Sequence, residues 1–130
     1  MRVFILDDDE ISNELTSIIL NLSGIEHIDV RHSGREAVRF LDEHQEKNTF
    51  PDLIFVDLNL PGMNGFEFIE FYEKTYLNMN PETKIIMLTN SVNEDEKFKA
   101  LTYESVIDFW SKPLNINPLE EVLSRISVRS

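Results

Sequence analysis

Three consecutive aspartates, Asp7, Asp8 and Asp9, follow the apolar run Val3 to Leu6, and a single aspartate, Asp57, follows the run Leu53 to Val56. Thr89 ends a third run, Ile85 to Leu88, and Lys112 with Pro113 follows a fourth, Ile107 to Trp110. These residue types handle metal ions and phosphate. Two carboxylates about 4 Å apart repel by roughly 4 kcal/mol at an effective dielectric near 20. Bringing Asp7 or Asp8 close to Asp57 therefore requires a cation or a proton. The chain has no cysteine, and no histidine lies near these positions. The ligands would be oxygens, which favours Mg²⁺ or Mn²⁺. Mg²⁺ commonly takes one or two carboxylates and keeps room for water and a phosphoryl oxygen. Asp57 is the candidate nucleophile, since a carboxylate can attack a phosphoryl group and form an acyl phosphate. The product would carry nearly two negative charges, which the Thr89 hydroxyl and the Lys112 ammonium could meet.

Each of these residues also has an ordinary reading. Asp7 to Asp9 fit a helix start, and Asp57 fits a strand–turn boundary. Threonine is common in strands and Lys-Pro in loops. The weight lies in their order, because each stands at the end of an apolar run. If the runs are parallel strands of one sheet, their C-terminal ends share the edge where open α/β sheets place their sites.

The segments between the runs have helical period, the pattern of βαβ units. Ile11, Leu15, Ile18, Ile19 and Leu22 have the spacing of an amphipathic helix, which Gly24 would stop. His27 to Arg31 reads as a second strand. Ser33 and Glu36 match a capping box ahead of Ala37, Val38, Phe40 and Leu41. Strand three runs from Leu53 to Asp57, the turn Pro61 to Gly65 leads to a helix over Phe66 to Tyr76, and strand four spans Lys84 to Thr89. Asn93 and Glu96 read as a cap with glutamate at the third helical position, strand five is Val106 to Trp110, and Asn117 with Pro118 opens the last helix. Five βα units with right-handed crossovers give a doubly wound five-stranded sheet. The whole of residues 1–130 reads as one domain.

The net charge is −12, from 24 acidic against 12 basic residues. That balance argues against nucleic-acid binding, which needs cations to meet phosphates. No run approaches the roughly 18 apolar residues of a membrane span, and no secretory signal opens the chain. A cytoplasmic protein is the expectation.

Asp-Asp after strand one, Asp57 with Pro61-Gly62-Met63-Asn64-Gly65 after strand three, Thr89 after strand four and Lys112-Pro113 after strand five resemble the receiver domain of two-component response regulators. The resemblance runs from Val3 to about Ile126. It implies a flavodoxin-like sheet of order 2-1-3-4-5, a phosphate-accepting Asp57, and Mg²⁺ held by Asp8, Asp57 and the backbone carbonyl of Asn59, with Asp7 acting largely through water. Thr89 and Lys112 would hold the phosphoryl oxygens, with Lys112 already paired to Asp57. The donor would be a histidine kinase or a histidine phosphotransfer protein. The domain would promote its own phosphorylation and dephosphorylation without acting on an outside substrate.

The family's signal leaves through a threonine–aromatic pair, here Thr89 and Phe109. Phe109 would rotate inward and alter the face of helix four, strand five and helix five; plain core packing is its other reading. Trp110 should point to the opposite sheet face. The chain departs from the family pattern at Asn90, where a small residue is usual, and at Tyr103-Glu104-Ser105-Val106, where Gly-Ala is usual. With only Val128-Arg129-Ser130 beyond the last helix, no output domain is expected, so output would pass to a downstream protein. Two alternatives fit part of the pattern: a haloacid-dehalogenase-like Mg²⁺ phosphatase and a receiver-like binding module that is never phosphorylated. The phosphatase pattern wants Thr or Val where Ile11 stands, and it wants an acidic pair at a late strand end. Here Glu120-Glu121 falls inside a helix instead.

Overall fold

A computed structural model describes residues 1–91 and 93–126. The elements run β1 (Arg2–Leu6), α1 (Glu10–Leu22), β2 (His27–Arg31), α2 (Gly34–Glu46), β3 (Leu53–Val56), α3 (Gly65–Thr75), β4 (Lys84–Thr89), α4 (Glu94–Ala100), β5 (Val106–Ser111) and α5 (Ile116–Ile126). Every strand pairing is parallel, and the order is β2-β1-β3-β4-β5. This is the flavodoxin-like arrangement expected from the sequence. Val128 to Ser130 lie outside the described residues. Among the described residues no helix is long and apolar enough to cross a membrane.

Helices cover both sheet faces, so the central strands have no solvent side and are apolar throughout. In β1, Phe4 and Leu6 face a layer with Phe40 and Leu41 of α2 and Phe68, Ile69 and Tyr72 of α3. Val3 and Ile5 face the other layer, with Leu20 of α1 and Leu119 and Val122 of α5. Burying one such side chain contributes about 1.5–3 kcal/mol. The sheet thus fixes where each strand ends, and with it where each polar residue begins.

β5 breaks the alternation. Ile85 pairs with Val106 while Ile86 pairs with Asp108, so Ile107 is an extra, exposed residue in a bulge. Val106 and Phe109 therefore face the same layer although they are three positions apart, and Trp110 faces the other, against Phe55.

Several helix details differ from expectation. In α1 the apolar row Ile11, Leu15, Ile18 and Leu22 is exposed, and the buried residues are Asn13, Thr16 and Leu20. The two rows lie roughly on opposite sides of the helix. The Asn13 side chain donates to the Asp7 carbonyl at 2.9 Å and the Ser12 hydroxyl to the Asp7 carboxylate at 2.9 Å. Those bonds tie the inward face of α1 to Asp7, alongside the buried Leu20. At α2, Ser33 accepts the Glu36 N–H, but Glu36 accepts from His32 rather than from the cap. The complete capping box stands at α3, between Asn64 and Glu67. Asn93 caps α4, whereas Glu96 meets Ser91. Helix α5 begins before Asn117, whose N–H is accepted by Asn115.

Candidate functional site

The register of the central strands assembles the site. Leu6 pairs with Val56, and the Asp57 N–H donates to the Leu6 carbonyl at 3.0 Å, so Asp7 and Asp57 emerge side by side. Thr89 pairs with Ser111, and the Lys112 N–H donates to the Thr89 carbonyl at 2.8 Å. Lys112 thus leaves β5 at the same edge, ahead of a cis bond to Pro113. Behind Asp57, α3 starts unusually close. A Cβ on Gly65 would stand 2.5 Å from the Asp57 carbonyl oxygen, and the Gly65 N–H donates to the Leu58 carbonyl at 2.8 Å.

The three aspartates separate by role. Asp9 caps α1, accepting from the N–H groups of Ile11 and Ser12. Asp7, Asp8 and Asp57 instead form one cluster, with one oxygen from each lying within 4.8 Å of the others. Asp8 is exposed, while Asp7 and Asp57 are 3% and 7% exposed. Lys112 Nζ bridges the two buried acids, 2.6 Å from Asp7 Oδ2 and 2.9 Å from Asp57 Oδ2. Asp57 Oδ1 accepts the Asn59 N–H at 3.1 Å. Asp7 Oδ1 accepts the Asp9 N–H at 3.0 Å, and its Oδ2 accepts the Ser12 hydroxyl.

Burial pushes the Asp7 carboxyl above the usual carboxylate range, against the opposing pull of Lys112, the Asp9 N–H and Ser12. Burial alone would lower the Lys112 ammonium, but its bonds to Asp7 and Asp57 more than offset that and leave it raised. Three carboxylates against one ammonium leave a net charge of −2, so an all-oxygen donor set with this imbalance fits a hard divalent cation. Asp7, Asp8 and Asp57 could hold it. Asn59 is exposed two residues beyond Asp57, and its N–H is the group that Asp57 Oδ1 accepts.

Thr89 is fully buried, and its hydroxyl accepts the Ser91 N–H at 3.5 Å. Phe109 is 6% exposed and belongs to the α2/α3 layer. Asn90 is exposed at the rim, on a groove it shares with Ile11, Ser12, Leu15, Lys112 and Pro113.

Sequence reasoning missed Ser12, Asn13 and Gly65. Ser12 and Asn13 had one available signal: they lie on the first turn of the helix that follows an acidic strand end, and that turn faces back toward the acids. Gly65 had another, as a glycine opening a helix a few residues after a candidate nucleophile.

A family model for the response regulator receiver domain matches residues 3–124. The chain is similar to a protein-glutamate methylesterase/protein-glutamine glutaminase of Archaeoglobus fulgidus, 33% identical over 115 residues, covering 87% of this chain and 30% of that protein. It is also similar to the chemotaxis protein CheY of Thermotoga maritima, 28% identical over 126 residues and covering 97% of both. Among solved structures, a two component response regulator from Cytophaga hutchinsonii superposes with a TM-score of 0.92 at 29% identity, covering 98% of this chain and 97% of the other. The chain spans only 30%, 28% and 10% of the first curated relatives it matches. With the family pattern matched over residues 3–124 and the fold shared end to end with such a structure, the chain belongs to the response regulator receiver domain family of two-component systems.

Proposed function

We propose that the chain is the phosphoacceptor of a two-component phosphorelay, with Asp57 as the acceptor. The observation that carries this reading is the setting of the Asp57 carboxylate. It is buried to 7% exposure, tied to Lys112 and the Asn59 N–H, and clustered with Asp7 and Asp8. The donor is a phosphohistidine on a histidine kinase or a histidine phosphotransfer protein. An Asp57 oxygen forms the new bond to phosphorus as the donor's N–P bond breaks, and the released imidazole keeps the electron pair and takes up a proton from solvent. The ammonium of Lys112 and the hydroxyl of Thr89 donate to the phosphoryl oxygens, with Thr89 turning away from Ser91 to do so. Asp7, Asp8, Asp57 and the Asn59 carbonyl would hold Mg²⁺, which when bound would supply positive charge for the incoming phosphoryl oxygens.

The donor reaches Asp57 across the groove beside Lys112. That groove continues into the exposed row Ile11, Leu15, Ile18 and Leu22 of α1, an apolar face suited to a partner helix. The output face lies around α4 and β5, where Phe98, Leu101 and Ile107 are exposed. Thr89 and Phe109 form the switch pair in this reading, with the buried Phe109 ring packed in the layer beneath the output face. The phosphatase reading has no comparable support in the site.

The test is labelling with a small acyl phosphate and Mg²⁺. The expected result is one hydroxylamine-labile phosphate per chain, absent in Asp57→Asn. Unchanged labelling in that variant would move the acceptor elsewhere. Rapid turnover of a generic phosphomonoester would favour a phosphatase.

A further inference from the structure

Asp7 is pinned on both oxygens, and one of its partners belongs to no motif. Its Oδ1 accepts the backbone N–H of Asp9 at 3.0 Å. Its Oδ2 is shared between Lys112 Nζ at 2.6 Å and the Ser12 hydroxyl at 2.9 Å. Ser12 sits on the first turn of α1, next to Asn13, whose amide holds the Asp7 carbonyl. Helix and carboxylate are therefore locked together through two adjacent side chains.

The two donors on Oδ2 are not equivalent. Lys112 is mobile in function, since under the phosphoacceptor reading it must serve the phosphoryl oxygens. A cation entering the cluster also competes with its ammonium for the same carboxylates. The Ser12 hydroxyl is neutral, so it can stay on Oδ2 while a cation binds and while Lys112 leaves. Without it, the ammonium is the sole donor on Oδ2, and the carboxylate is free to turn about its terminal torsion. Both changes act in the same direction, against the cation.

We infer that Ser12 is a positioning residue of this site: its hydroxyl holds the Asp7 carboxylate in the orientation the divalent cation needs and frees Lys112 to move to the phosphoryl group. This inference rests on the proposed phosphoacceptor function for the Lys112 step, while the cation-holding role stands on the geometry of Asp7 alone. Hydrogen-bond partners that orient a carboxylate ligand typically matter by about 10–100-fold in metal affinity.

The test uses Mn²⁺ as probe, followed by electron paramagnetic resonance on the unphosphorylated protein, for wild type, Ser12→Ala and Ser12→Thr. Alanine is the better helix former, so Ser12→Ala should remain folded; a urea titration checks this. Threonine restores a hydroxyl at the same place, and its added methyl falls on a half-buried helix position. The expected result is an Mn²⁺ dissociation constant about tenfold higher in Ser12→Ala and close to wild type in Ser12→Thr. Labelling by acyl phosphate should slow in Ser12→Ala at low Mg²⁺ and recover at saturating Mg²⁺. Wild-type Mn²⁺ affinity in Ser12→Ala would overturn the inference, as would a loss that Ser12→Thr does not restore. Wild-type protein that binds Mn²⁺ yet takes no label would instead overturn the phosphoacceptor function, and the Mn²⁺ comparison would still decide the part played by Ser12.

Discussion

Asp57 is placed as much by what lies behind it as by the groups in front. Gly65 stands so close that a methyl group there would meet the Asp57 carbonyl at 2.5 Å and the Leu58 Cα at 2.8 Å, and neither backbone atom can swing aside. Gly65→Ala should therefore push the β3 end away from the start of α3. Overpacking of this kind costs about 1–3 kcal/mol. A lowered urea midpoint should accompany slower labelling of Asp57; an unchanged midpoint would show that the loop relaxes freely. The acids themselves were legible in the sequence, because they follow short apolar runs of the kind that buried strands make. Their division of labour was not. Asp7, Asp8 and Asp9 are chemically identical neighbours, and only the backbone path assigns Asp9 to the helix cap while Asp7 and Asp8 face Asp57. Ser12 was hidden for a related reason, since a serine on a helix is usually solvated.

At the scale of elements, the strands were the readable part. Burial on both faces made β1, β3 and β4 compact apolar runs, and the order of the sheet followed from the family resemblance. The helices were readable as helices but not in rotation. The apolar periodicity of α1 pointed to a face that the structure leaves in solvent, while the face carrying Asn13, Thr16 and Leu20 turns inward, where Asn13 and the adjacent Ser12 bond to Asp7. The segment Tyr103 to Ser105 shows a second polar decision. The Tyr103 hydroxyl donates to Glu70 at 2.6 Å, and Ser105 donates both its N–H and its hydroxyl to Glu73 Oε2, at 2.7 and 2.6 Å. Burial, reinforced by the carboxylate of Glu70, pushes the Tyr103 phenol up to about 12. The stretch that departs from the family pattern is thus tied to α3 just where α4 gives way to β5. Ser105 is 2% exposed, so Glu73→Ala would leave two interior donors without a partner. The expected loss is about 1–3 kcal/mol by urea unfolding, with Glu73→Gln losing less. Equal losses in the two variants would argue that the Ser105 donors find water instead.

For the whole molecule, the acidic surface of net charge −12 is interrupted by two apolar areas, one along α1 and one around α4 and β5. The first adjoins the groove that leads to Lys112, and the second lies across the sheet from it. Their separation permits a donor and a target to be served by different faces of one small domain. Ile18 is 54% exposed, so Ile18→Glu should leave stability within about 0.5 kcal/mol of wild type. It should slow transfer from a protein donor while labelling by a small acyl phosphate stays unchanged, as radiolabel kinetics with the two donors would show. Equal rates from the protein donor in both forms would remove α1 from the docking surface. The second area lies on the open flank of the sheet, where a straight strand would offer its free N–H and C=O groups to any chain of like sequence. The extra residue at Ile107 spoils that template. A bulged edge strand is a poor template for edge-to-edge pairing, and this one lies beside the exposed Phe98, Leu101 and Ile107. The irregularity in pairing thus disfavours self-pairing at an edge whose neighbourhood is apolar.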